Sequence, residues 1–312
     1  MRRTLKIGSD VPPIFLAPMA GYTDFAYRKI CFELGLSFAV TEMVSAKALS
    51  YGDEKTESIS KSEGRTGIQL FGHDISALQI AVEKLNERSD FLWYDLNFGC
   101  PAPKIVKNHD GSSLLSDLPT LRQVIECVKK YSNKPVSAKM RLGFKEGDDF
   151  IKIAKTIEDS GADFLTVHGR TREMYYTGEA DWDAIYKIRN AVSIPVIGNG
   201  DIKNADMARE LLESGYIDGV AIGRAAIGNP FLFAELSGTE YSSKYDVIKR
   251  HFEYMCEIKN ERVAVNDFKK HLIKYLNNRP EAKKIRQELQ NITNIEIMNE
   301  WIKSLFYFDK IG

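Results

Sequence analysis

Asp95-Leu96-Asn97-Phe98-Gly99-Cys100-Pro101 is the stretch from which the fold can be read. The apolar run 91–96 predicts a strand, and Gly-Cys-Pro predicts a tight turn at its C-terminal end. In parallel α/β proteins, the C-terminal strand ends carry the chemistry. Two later strands end in a similar way. Pro135-Val136-Ser137-Ala138-Lys139-Met140-Arg141 finishes on two cations, and Asp163-Phe164-Leu165-Thr166-Val167-His168 finishes on a histidine. A thiol, an ammonium–guanidinium pair and an imidazole at three strand ends predict one site.

Working outward, short apolar runs at 14–17, 38–41, 66–70, 136–140, 164–167, 196–198 and 219–222 join 91–96 as eight candidate strands. Helical patterns at 24–34, 75–87, 121–131, 149–160 and 204–214 lie between them, with Gly161 and Gly215 just past two helix exits. Eight strands with intervening helices fit a (β/α)8 TIM barrel. An open doubly wound sheet is the alternative. Suggestive residues at nearly every strand end, rather than at one crevice, favour the barrel. After Asn229-Pro230 the alternation stops, and from about Tyr245 the pattern is helical only. Val265, Phe268, Leu272 and Tyr275 share one helical face, and Ile285, Leu289, Ile292, Met298, Trp301 and Leu305 continue at similar spacing. The expectation is an α/β barrel over residues 1–240 and a small all-helical domain over 241–312.

The 312 residues carry 43 basic and 43 acidic side chains, which argues against a broad nucleic-acid surface. The balance is uneven. Residues 241–312 hold fourteen Lys/Arg against ten Asp/Glu, and Arg262 to Arg286 alone has eight basic residues against two acidic. Cys31, Cys100, Cys127 and Cys256 form no C-x-x-C pair, so neither a disulfide framework nor a zinc site is expected. No signal peptide or apolar span is seen, and the expectation is a cytoplasmic protein without membrane or metal, acting as a monomer.

Residues two apart on a strand share a face. Lys139 and Arg141 therefore point together, as do Asp95 and Asn97, and Thr166 and His168. Cations at such a mouth can neutralise an anionic ligand or charge that develops during reaction. A lone strand-end cation is as readily a solvated rim residue; the thiol and imidazole nearby tip the balance. Gly198-Asn199-Gly200-Asp201 after the seventh strand and Gly223-Arg224 after the eighth lie where this fold usually seats a phosphate. No G-x-G-x-x-G joins a strand to a helix, so a separate nicotinamide-binding domain is not expected, and one phosphate seat suits a mononucleotide such as FMN better than FAD. Cys100 is open to three readings: buried structural thiol, nucleophile or proton donor. With an ordinary pKa near ~8.5 it would be largely protonated at neutral pH, suiting an acid.

The chain resembles the tRNA-dihydrouridine synthases, FMN enzymes that reduce a uracil in tRNA. The resemblance rests on Ala17-Pro18-Met19-Ala20-Gly21-Tyr22-Thr23-Asp24, Gln69-Leu70-Phe71-Gly72, Asn97-Phe98-Gly99-Cys100-Pro101 and Lys139-Met140-Arg141-Leu142-Gly143. It continues through Val167-His168-Gly169-Arg170-Thr171, Gly198-Asn199-Gly200-Asp201 and Gly223-Arg224-Ala225-Ala226-Ile227-Gly228-Asn229-Pro230. It implies that Ala17, Pro18, Met19, Gln69, Lys139 and His168 hold the flavin ring. Asn199, Gly200, Asp201, Gly223 and Arg224 would hold its ribityl phosphate. Asn97 and Arg141 would bind the uracil, and Cys100 would protonate C5 after hydride reaches C6. NADPH would serve as electron donor, with NADH an open alternative. In the tail, Lys269-Lys270-His271-Leu272 with Lys274 and Tyr275 resembles the family's basic tRNA-gripping helix. Lys269 replaces an expected Arg, Asn277-Asn278-Arg279-Pro280 a more glycine-rich turn, and Asn108-His109-Asp110-Gly111 a small-residue run. Two other readings stay open: a small-molecule FMN reductase resembling dihydroorotate dehydrogenase, and a flavin-free RNA-binding scaffold.

Overall fold

A computed structural model describes residues 2–8, 11–276 and 282–307. The expected turn Asn277-Asn278-Arg279-Pro280 lies outside the described residues. Nine parallel strands follow in chain order: β1 (Ile14–Leu16), β2 (Phe38–Val40), β3 (Val44–Ser45), β4 (Thr66–Phe71), β5 (Trp93–Phe98), β6 (Val136–Arg141), β7 (Phe164–His168), β8 (Val196–Asn199) and β9 (Gly219–Ile222). β1 pairs with both β2 and β9, and β2 also pairs with β4. These pairings close β1, β2 and β4–β9 into an eight-stranded ring with helices between its strands, the expected TIM barrel, and rule out the open sheet. The two-residue β3 was not expected; it lies beside β4, pairing Val44 with Leu70. The fifth strand runs two residues later than its apolar stretch, because Asn97 and Phe98 still pair with Lys139 and Met140 on β6.

Short polar residues start the helices. Asp24, Asp74, Asp149 and Asn204 each accept the backbone N–H three residues on, at 3.0, 3.1, 2.9 and 2.9 Å. Such caps stabilise by roughly 1 kcal/mol apiece. Gly161 and Gly215 end two helices at φ +97 and +70, a region costly to a residue with a Cβ.

Along the barrel axis the inward positions change character. The lower layer is aromatic: Phe15 stacks on Phe38 at 5.0 Å, and the Trp93 ring stands edge-on to Phe15 at 6.0 Å. Phe164 completes the group, 5.9 Å from Trp93. Gly67 makes room for the indole, since a Cβ there would collide with it. Trp93 is fully buried, and truncating such a residue costs about 3–5 kcal/mol. Above this plug the inward residues are polar. Residue spacing of two along each strand thus delivers a sealed floor and a reactive mouth.

Beyond the ring come helices Phe231–Ser237, Lys244–Ile258, Glu261–Tyr275, Ala282–Gln290 and Ile295–Tyr307. Val265, Phe268 and Leu272 are buried, as are Ile285, Leu289, Ile292 and Met298, in a second hydrophobic cluster that also takes in Ala26 of the first barrel helix. Gly228, at φ +74, packs against the Lys274 backbone so closely that a Cβ would collide with it. No helix among the described residues is long and apolar enough to cross a membrane.

Candidate active site

The C-terminal strand ends surround a cavity of about 860 Å³, within the range that holds small ligands and cofactors. Ala17, Pro18, Met19, Gln69, Asn97, Cys100, Lys139, Arg141, His168, Asn199, Gly200, Asp201, Gly223 and Arg224 all line it. Lys269, Lys270 and Lys274 do not; they lie on the tail helix Glu261–Tyr275. That helix nevertheless borders the site, because the Lys270 ammonium comes within 3.8 Å of where a Cβ on Gly21 would stand.

Register explains the gathering. Asn97 is opposite Lys139, Lys139 opposite Thr166, Arg141 opposite His168 and His168 opposite Asn199. Lys139 Nζ donates to Asn199 Oδ1 at 3.3 Å, and Asn199 Nδ2 donates to the Ala221 carbonyl at 2.7 Å. Burial and then neighbouring Arg141 push the Lys139 amine down to about 8, against the opposing pull of Asp95. Arg141 is 2% exposed. Its Nε donates to the Gly99 carbonyl at 2.8 Å, and its Nη1 to Thr171 and Tyr175 carbonyls at 2.9 Å each. Five donors on a rigid fork leave Nη2 for a ligand.

Cys100 sits two residues beyond β5, its backbone N–H held by Asn97 Oδ1 at 2.9 Å and its carbonyl by Ser112 Oγ at 2.7 Å. Burial pushes its thiol pKa up, although the Ala102 N–H and the two cations oppose this. The sulfur is thus protonated at neutral pH. His168 is held neutral, its pKa driven down to about 2 by burial and then by Lys139, Arg141, Arg170 and Arg224. Arg170 Nη1 lies 3.4 Å from His168 Nε2. Since guanidinium only donates, that nitrogen accepts and the ring proton belongs on Nδ1.

Asp201, in the left-handed region at φ +52, ties the seat after β8 to the seat after β9. Its carboxylate takes Arg170 Nη2 at 2.6 Å and Arg224 Nη2 at 2.9 Å. Two guanidiniums against one carboxylate leave this corner positive. Gly223 faces Met19 and Ala17, where even a Cβ would find only ordinary contacts, at 3.8 and 3.9 Å respectively.

Three features escaped the sequence reading. Tyr176 lines the cavity with its ring 4.9 Å from the Arg224 guanidinium and 5.6 Å from that of Arg141. Arg170, 1% exposed, also binds the Thr177 and Gly178 carbonyls and so fixes the loop that presents Tyr176. Behind loop 17–24, Asp24, His251 and His271 bring donor atoms within 4.8 Å of one another, a group of the kind that can ligate a metal. The Lys259 ammonium already occupies the Asp24 carboxylate at 2.6 Å, an ion pair that joins barrel and tail beside the two imidazoles. Arg170 carried a signal in its place beside His168, and Asp24 and His271 lie within family-like stretches, whereas Tyr176 and His251 carried none.

The family profile described as dihydrouridine synthase (Dus) matches residues 15–304. The chain belongs to the dihydrouridine synthase family. It is 35% identical over 291 residues to a probable tRNA-dihydrouridine synthase of Rickettsia conorii, covering 88% of this chain and 87% of that one. To tRNA-dihydrouridine synthase B of Pseudomonas putida it is 33% identical, covering 94% and 91% of the two chains. Among solved structures, an old yellow enzyme homologue from Zymomonas mobilis superposes with a TM-score of 0.52 at 14% identity, over 80% of this chain and 95% of that one. That likeness concerns the barrel fold alone.

Proposed function

We propose that this dihydrouridine synthase reduces a uridine of tRNA to 5,6-dihydrouridine, with FMN as cofactor and NADPH as electron donor. The observation that carries the reading is the meeting of Cys100, Lys139, Arg141 and His168 around one cavity in a chain of this family. The residues present suit FMN. Ala17, Pro18 and Met19 offer an apolar wall and Gln69 polar contacts; Lys139 and His168 offer one charged and one neutral nitrogen partner for the ring. Asn199, Gly200, Asp201, Gly223 and Arg224 form the positive corner for one phosphate. When bound, reduced FMN supplies hydride to uracil C6.

The chain's own residues do the rest. Cys100 keeps its proton by burial and delivers it to C5. Arg141, with three of its five N–H groups anchored, uses Nη2 to stabilise negative charge building on the uracil carbonyls. Asn97 has one amide N–H left for the base after serving Gln69. Lys139 stabilises the reduced cofactor's negative charge. Tyr176 and the loop held by Arg170 limit water at the mouth. The segment 241–312 positions the tRNA, with Lys269, Lys270 and Lys274 taking phosphates beside loop 17–24, and the target base must leave its stack to enter.

The test uses full-length protein, NADPH and an unmodified tRNA transcript. The expected result is a yellow protein releasing FMN on denaturation, and one uridine heavier by two hydrogens in mass mapping. NADPH oxidation without any mass gain in tRNA would refute tRNA as substrate. Release of FAD would refute the cofactor assignment.

A further inference from the structure

Beneath the reacting groups lies a carboxylate that the chemistry above does not use. Asp95 is 2% exposed and sits one inward position below Asn97 on β5. Strand register sets Gln69 on one side of it and Ser137 on the other. Ser137 Oγ donates to Asp95 Oδ1 at 2.6 Å, and Gln69 Nε2 donates to Oδ2 at 2.7 Å. Gln69 Oε1 in turn accepts from Asn97 Nδ2 at 2.7 Å. Asn97 Oδ1 then accepts the backbone N–H groups of Gly99 at 3.1 Å and Cys100 at 2.9 Å.

An ionised carboxylate only accepts, whereas each amide has one accepting and one donating end. The direction of every bond in this series therefore matches two fixed ends, the accepting carboxylate at 95 and the donating backbone N–H groups of Gly99 and Cys100. Were Gln69 reversed, its carbonyl would face the carboxylate and its NH2 would face the NH2 of Asn97. Buried mismatches of this kind are avoided in folded proteins. With its NH2 fixed toward Gln69, Asn97 can present only its carbonyl to the Cys100 turn.

We propose that Asp95 is a positioning residue for Cys100: through Gln69 and Asn97 it anchors the inner end of a hydrogen-bond series that ends on the Gly99 and Cys100 backbone and holds the thiol at the cavity. The inference rests on the reading of Cys100 as the acid, yet the thiol's placement is measurable apart from that role. The competing role for Asp95 is counter-ion to Lys139, which would act on the cofactor and not on the thiol.

Three variants of the full-length, FMN-loaded protein separate these. Asp95→Leu removes both acceptors while keeping the branched heavy-atom skeleton. Asp95→Asn removes the charge but keeps the direction, because its carbonyl accepts from Gln69 while its NH2 turns to the Ser137 oxygen. Asp95→Asn combined with Ser137→Ala deletes that second acceptor, so the amide is held only by its bond to Gln69. Iodoacetamide labelling of Cys100, followed by peptide mass, reads thiol placement; single-turnover oxidation of the reduced enzyme by tRNA reads chemistry. Asp95→Leu should speed labelling and slow turnover on the order of 10²-fold. Asp95→Asn should resemble wild type in both, and the double variant should move toward Asp95→Leu. Unchanged labelling in Asp95→Leu, or an Asp95→Asn variant as impaired as Asp95→Leu, overturns the proposal. If Asp95→Leu does not fold, equal labelling rates in Asp95→Asn and the double variant overturn it instead. Full tRNA turnover by Cys100→Ala would remove the acid assignment while leaving the labelling comparison to judge Asp95.

Discussion

Positive charge is held in two ways in this molecule. At the barrel mouth, Lys139 and Arg141 are drawn out of water and tied to Asn199 and to backbone carbonyls. On the tail helix, Lys269, Lys270 and Lys274 stand half-buried; Lys269 reaches Asn266 at 3.4 Å and Lys270 reaches Asp267 at 3.2 Å. The mouth cations carry a desolvation cost, visible in the lowered Lys139 value, and act through fixed position. The tail cations keep their hydration and act through number. Charge at the mouth should be insensitive to salt, whereas tail charge is screened over about 8 Å at physiological ionic strength.

Removing a mouth cation should have the largest consequence. Lys139→Met is expected to slow tRNA-dependent turnover by about 10²–10³-fold, equally at low and high salt. In the wild type, Lys139 is charged below about 8 and neutral above it. Flavin reduction should therefore decline as pH rises through about 8, and Lys139→Arg should abolish that decline in a stopped-flow pH series. Next, Arg224→Ala should weaken FMN binding by roughly 10–100-fold in a fluorescence titration, as expected for a lost charge-assisted bond. Charge reversal on the tail, Lys270→Glu with Lys274→Glu, should weaken tRNA binding about tenfold and flatten its salt dependence by about 1–2 in slope. NADPH oxidation should be untouched, and equal salt slopes would collapse the distinction between the two regions.

The smallest effect concerns the joint between them. His271 and His251 are buried and neutral, with pKa values driven by burial to about 4 and well below the ordinary 6.5, respectively. The unfolded chain takes up protons on these rings below about 6.5, and the folded chain does so only at lower pH. Their contribution is therefore complete above 6.5 and is lost as pH falls toward about 4. The melting temperature should drop across that window, and less steeply in His271→Asn.

The barrel and its mouth were legible because strand parity is a local property. Knowing that Lys139 and Arg141 share a face required only counting by two, and closure by the β2–β4 pairing then brought eight such faces to one cavity. What escaped depends on tertiary contacts. Tyr176 lies in an aperiodic loop whose course is dictated by Arg141 and Arg170 reaching its carbonyls. His251 and His271 sit on separate helices, and nothing in either local pattern points to Asp24. β3 is too short to show alternation. Asp95 was visible as Asn97's partner in parity, but its bonds to Gln69 and Ser137 exist only across strands.

The most direct test of a thiol acid at this mouth is a single turnover. Enzyme pre-reduced and freed of NADPH is mixed with unmodified tRNA, and the return of the oxidised flavin absorbance is timed for wild type and Cys100→Ala. The expected result is reoxidation slower by about 10²–10⁴-fold in the variant, with flavin content and NADPH reduction retained. Equal rates in the two proteins would contradict the account.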